Sequence, residues 1–252
     1  MSGGRPAGAE PAERVAGRWR RAIRFPDWPV RLEEDLRRYV LARPADPAEW
    51  RLRWLIYDLM ADALEAGDAA LPADGPDRDG GRRPPRTVVL HHSGTLPTIS
   101  AARLSAMGLL RLYAPDAAAR RDPAELYSQH FRGGRQVFYA YHWLVRPDGR
   151  VERLLEDGEV GWHAGDREVN RASVGVCLAG DYTSGRPTPA ALAAVDALVR
   201  ERYPGVPMVP HCAVNPGTGC PGAWVDERPP AWPSAAALAG RAGGAVAGVL
   251  SG

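Results

Sequence analysis

Residues Arg86–His91 read RTVVLH, a short β-branched run that ends on a histidine. Such a run suits a buried strand. Downstream, Ser173–Ala179 (SVGVCLA) has the same character, and Met208–Pro210 is a third short apolar run that leads into His211. Between them, Thr98 or Ser100 can cap a helix carrying Leu104, Met107, Leu109 and Leu110, and Thr188-Pro189 opens another with Leu192, Val195, Leu198 and Val199 inward. Val137–Val145 (VFYAYHWLV) and Arg150–Leu155 (RVERLL) flank Pro147-Asp148-Gly149, a hairpin turn. Strands alternating with helices predict an α/β domain whose mixed central β-sheet is flanked by helices.

Upstream, the pattern is helical. Asp46-Pro47-Ala48-Glu49 offers an N-cap, a proline at the first helical position and a glutamate at the third. Trp50, Trp54, Tyr57 and Leu64 follow at helical spacing until Gly67, and Leu32, Leu36, Tyr39 and Val40 share a face of an earlier segment. These aromatics read as packing faces. The stretch Pro72–Pro85 (PADGPDRDGGRRPP) reads as a linker, and the chain after Arg228 has low complexity. The expected organisation is an N-terminal helical extension at 1–71, a linker at 72–85, the α/β domain at 86–228 and a tail at 229–252.

A formal charge of +2 on 252 residues, with 45% apolar and 25% charged residues, is that of an ordinary globular protein. It argues against a nucleic-acid binder, which concentrates basic charge. All 32 basic residues are arginine, spread evenly, as genomic composition bias produces. The first 25 residues lack the apolar segment of a secretory signal, and Ala242–Leu250 is too short for a membrane span. The expectation is synthesis in the cytoplasm, with release or export needed to meet any target outside the membrane. Three cysteines, Cys177, Cys212 and Cys220, do not form a disulfide framework.

Histidine and cysteine positions carry the chemistry. His91 ends the first strand, His211 follows the last, and Cys220 lies in the loop HCAVNPGTGCPG. Two imidazoles and a thiolate suit zinc with a fourth position left for water, and such a site hydrolyses amides. Two other readings stay open at this point. His211, Cys212 and Cys220 can serve a structural zinc, although no C-x-x-C pair is present to complete four ligands. Cys220 can be a thiol nucleophile with His211 as base, which leaves His91 unexplained.

The segments VVLHHSGT, YAYHWLVRPDGRVERLLEDGEVGWHAG, NRASVGVCLAGDYT and HCAVNPGTGCPG occur in this order. Together they resemble the type 2 N-acetylmuramoyl-L-alanine amidases, a family that includes phage amidase endolysins and peptidoglycan recognition proteins. The resemblance runs from about Arg86 to Trp224. It implies one Zn2+ ion held by His91, His211 and Cys220, with peptidoglycan or muropeptide fragments as the partner. It further implies that Tyr141 and Thr218 stand at the scissile carbonyl, while His163 and Asn170 line the substrate groove. Trp162, beside His163, reads either as a platform for sugar or as a packing residue. The reaction implied is cleavage between the N-acetylmuramic acid lactyl group and L-alanine of the stem peptide. Members of the recognition group bind without cutting and often lack the third ligand, which gives the alternative of a non-catalytic binding module. Departures are a longer His211–Cys220 loop, Cys212 in place of a common arginine, and a longer Tyr113–Gln136 region. Cys177 and His142 read as core residues, and His130 has no context that separates function from surface.

Overall fold

The computed structural model describes residues 10–227; the predicted tail at 229–252 lies outside them. Seven strands occur among the described residues: β1 (Thr87–His92), β2 (Phe131–Arg132), β3 (Arg135–Gln136), β4 (Trp143–Val145), β5 (Val151–Arg153), β6 (Ser173–Leu178) and β7 (Met208–Pro210). Five of them form one mixed sheet in the order β5-β4-β6-β1-β7. β1 lies parallel to both β6 and β7, β4 lies parallel to β6, and only the edge strand β5 is antiparallel. The two central strands are the two long apolar runs, because a strand covered on both faces needs apolar side chains in both directions. All six residues of β6 are buried.

Val88, Leu90, Val174, Val176 and Leu178 form one layer of the core, closed by Ala191, Val195 and Leu198 from the helix Pro189–Arg202. Thr188 caps that helix, its hydroxyl accepting from the Ala191 amide. Trp143 donates from Nε1 to the Tyr203 hydroxyl, 2.7 Å away, and so gives a buried indole its partner. Gly149 turns β4 into β5 with φ 87°, a backbone conformation that side chains other than glycine's resist.

The strand expected over Val137–Val145 is shorter than predicted. Only Trp143–Val145 pairs, because the Val137 amide donates to the His130 carbonyl and the Phe138 amide to the Ser105 hydroxyl. Donors committed elsewhere cannot enter the ladder. Tyr141 therefore sits on irregular chain just before β4.

Two compact units divide the chain. One is the chain up to Arg78 with Ser100–Phe138, and the other is Asp79–Ile99 with the chain from Tyr139 onward. The first is helical, with long elements at Ala12–Ala22 and Pro47–Ala66 and the helix Ala101–Gly108 joining them from the later stretch. Asp46 accepts from the Ala48 and Glu49 amides, and Ser100 caps its helix through Arg103. Trp19, Trp28, Tyr39, Tyr57 and Tyr113 are fully buried, so the aromatic periodicity is mostly core, although Trp50 is exposed. No helix among the described residues is long and apolar enough to cross a membrane.

The stretch 72–85 forms no helix or strand, yet it is anchored. The Arg82 guanidinium donates to the carbonyls of Asp157 (2.8 Å), Asn170 (3.0 Å) and Ser173 (2.8 Å). Arg82→Ala strands three acceptors in a partly buried place. It is expected to lower stability by about 2–3 kcal/mol in urea unfolding, whereas a free linker would tolerate it within about 0.5 kcal/mol.

Candidate metal centre

His91 is the penultimate residue of β1, and His211 opens the short helix His211–Val214 directly after β7. Because β1 and β7 are parallel with Leu90 opposite Pro210, both histidines reach the same carboxyl edge of the sheet. Open α/β sheets place their ligand sites at that edge. Cys220 returns to it through a bracing loop. The Cys212 amide donates to the Cys220 carbonyl at 2.9 Å, and the Cys220 amide donates to Thr218 Oγ1 at 3.2 Å.

The three side chains converge. One donor atom from each of His91, His211 and Cys220 lies within 4.8 Å of the others. Cys220 Sγ stands 3.9 Å from His91 Nδ1 and accepts the His92 amide at 3.4 Å. The His91 and His211 rings are 4.4 Å apart between centroids. His91 is 1% exposed, and the other two are half-buried.

Electrostatics fits these atoms to a cation. Burial holds the His91 imidazole well below its usual range, with His163 and His211 adding to the effect, and burial lowers His211 as well. Both rings are therefore neutral at pH 7 and carry a free lone pair. Burial pushes the Cys220 thiol up to about 11, against the smaller opposing pull of the His92 amide. A thiolate at this place needs a positive charge beside it. His211 Nε2 is buried and has no hydrogen-bond partner. A bare buried ring nitrogen beside a second imidazole and a thiol is a donor atom presented to a cation.

The other predicted residues take varied places. The Tyr141 ring packs against His91 at 5.0 Å. Thr218 is half-buried, its hydroxyl engaged by the Cys220 amide. Trp162 is half-buried, and its Nε1 has no partner. His163 and Asn170 are buried, 6% and 3% exposed, beneath the cluster's edge. His163 Nδ1 meets His91 Nε2 at 3.0 Å. Asn170 Oδ1 accepts the His163 and Ala164 amides at 3.1 and 2.8 Å.

Cys177 is fully buried as core, yet it stands opposite His91 in the sheet register. Burial raises its thiol well above the usual range, and Cys220 adds to the rise. His142 is also buried, accepting the Gly175 amide at Nδ1, and burial lowers its pKa to about 3. Three residues that the sequence reading passed over matter here: Arg82, Ser173 and Gly175. A glycine inside a buried strand is a signal of close approach, and Gly175 carries it.

A mixed sheet flanked by helices, with a His/His/Cys cluster at its carboxyl edge, defines an α/β protein with a three-donor centre among the described residues. The chain belongs to the N-acetylmuramoyl-L-alanine amidase family, whose model matches residues 81–223. It is similar to a peptidoglycan-recognition protein of Drosophila simulans, 27% identical over 156 residues, covering 60% of this chain and 75% of the relative. It is also similar to an endolysin of Klebsiella phage KP32, 37% identical over 89 residues, covering 32% of this chain and 57% of the relative. Among solved structures, the endolysin of Thermus scotoductus bacteriophage Ph2119 aligns with 26% identity and a TM-score of 0.39. That alignment covers 57% of this chain and 84% of the endolysin.

A thiol nucleophile needs a lowered pKa, and Cys220 has the reverse. In metal-free protein, alkylation of Cys220 is expected to stay slow at pH 7 and to rise toward a midpoint near about 11. Mass spectrometry of iodoacetamide-treated samples across pH checks this. A plateau already reached by pH 7 would contradict it.

Proposed function

We propose that this protein hydrolyses the amide between the N-acetylmuramic acid lactyl group and L-alanine of the peptidoglycan stem peptide, with one zinc ion held by His91, His211 and Cys220. The observation that carries the reading is the convergence of those three donors within 4.8 Å, with His211 Nε2 otherwise unpartnered. Membership of the amidase family supports it. The residues that carry this reading all lie in the sheet unit, Asp79–Ile99 with the chain from Tyr139 onward.

His91, His211 and Cys220 would hold the ion, which when bound would polarise the scissile carbonyl and acidify a water near neutral pH. The chain's own side chains do the rest. Tyr141, packed on His91, directs its hydroxyl to the oxygen that gains charge as the carbonyl becomes tetrahedral. Thr218 adds a second hydroxyl from the ligand loop. Trp162, half-buried with a free Nε1, flanks the sugar or the stem. His163 has both ring nitrogens engaged, so protonation of the departing amine falls to Tyr141.

The alternative is a module that binds peptidoglycan without cutting it. The complete donor set favours turnover, because a binder has no use for a metal with an open position. Purified protein is expected to release stem peptides from sacculi, to stop with a chelator and to resume with added zinc. Tyr141→Phe is expected to lower kcat by about 100-fold with little change in binding. Cys220→Ser is expected to abolish release while sacculus binding persists. Binding by the wild type with no release at any zinc level would establish the binding module instead.

A further inference from the structure

The dipeptide His163-Ala164 adjoins the metal centre, with His163 Nδ1 3.0 Å from His91 Nε2. The motif that follows is built around this dipeptide. Asn170 Oδ1 takes both of its amides, at 3.1 and 2.8 Å. Ser173 Oγ stands 3.3 Å from His163 Nε2. At Gly175 an added Cβ would fall 2.8 Å from His163 Cδ2, so the ring occupies the space that glycine leaves open. Asn170, Ser173 and Gly175 thus hold one imidazole in one orientation, and all three are in the segment Asn170–Gly175 (NRASVG).

We propose that His163 is a positioning residue that selects the tautomer of His91, and that Asn170, Ser173 and Gly175 form its cradle. His91 Nδ1 faces Cys220, so a metal-binding His91 carries its proton on Nε2. That N–H donates to His163 Nδ1, which must be unprotonated. The His163 proton is then on Nε2 and donates to the Ser173 hydroxyl oxygen. Each bond in this chain permits only one arrangement of the next, once Nδ1 of His91 is bare. In this arrangement His163 and Asn170 act through the ligands. This inference rests on the zinc reading above.

The test compares His163→Leu with His163→Asn. The two side chains have nearly the same shape, and only asparagine retains an acceptor near the Nδ1 position. Zinc affinity is measured by competition with a chromophoric chelator, and the His91 tautomer in metal-free protein by long-range 1H–15N NMR. His163→Leu is expected to bind zinc about 10- to 100-fold more weakly and to show His91 in mixed tautomers. His163→Asn is expected to recover most of the affinity and the single Nε2–H tautomer. Equal zinc affinity for wild type and His163→Leu, or an asparagine variant as weak as the leucine one, overturns the proposal. Should His163→Leu fail to fold, Ser173→Ala decides: mixed His91 tautomers support the proposal, and an unchanged Nε2–H tautomer overturns it. A wild type that takes up no zinc overturns the zinc reading itself, and a zinc-binding wild type with indifferent variants overturns only the positioning role.

Discussion

Parallel pairing of β1 with β7 is the constraint on which the rest depends. In a parallel pair both strands deliver their next residues to the same edge. Leu90 stands opposite Pro210, so the residues that follow, His91 and His211, arrive side by side although they are 120 positions apart in the chain. Reversing either strand would send one imidazole to the far edge. The burial of β1 and β6 makes this geometry hard to disturb, because a slip by one residue would exchange the faces that His91 and Leu90 occupy.

The chemistry of the centre follows from what burial does to its members. Removal from water favours the neutral form of every titratable group at the edge, so the imidazoles hold lone pairs and the thiol holds its proton. Such a set is uncharged, close-packed and short of hydrogen bonds. A divalent ion would reverse the preference of the thiol and use the unpartnered nitrogen of His211.

Legibility in the sequence tracked the range of the physics involved. The runs RTVVLH and SVGVCLA announced central strands because burial on both faces writes itself into every residue. Asp46, Ser100 and Thr188 announced helix starts because capping is local. The strand through Tyr141 was over-extended, since its apolar alternation continues through residues whose amides are taken by His130 and Ser105. No local pattern shows where a distant acceptor will be. Similarly, His91, His211 and Cys220 were legible as types at strand ends, whereas Arg82 looked like part of a polar linker. Its three carbonyl partners lie roughly 75 to 91 residues downstream.

The helical unit is discontinuous along the chain, and its second portion comes after the first strand of the sheet unit. On the ribosome, therefore, the opening helices cannot complete their core when they emerge. The helices that carry Trp28 and Tyr57 pack against helices from Ser100–Phe138, which emerge only after β1 has been made without its partners β6 and β7. The N-terminal segment is the first half of a unit that the chain finishes later.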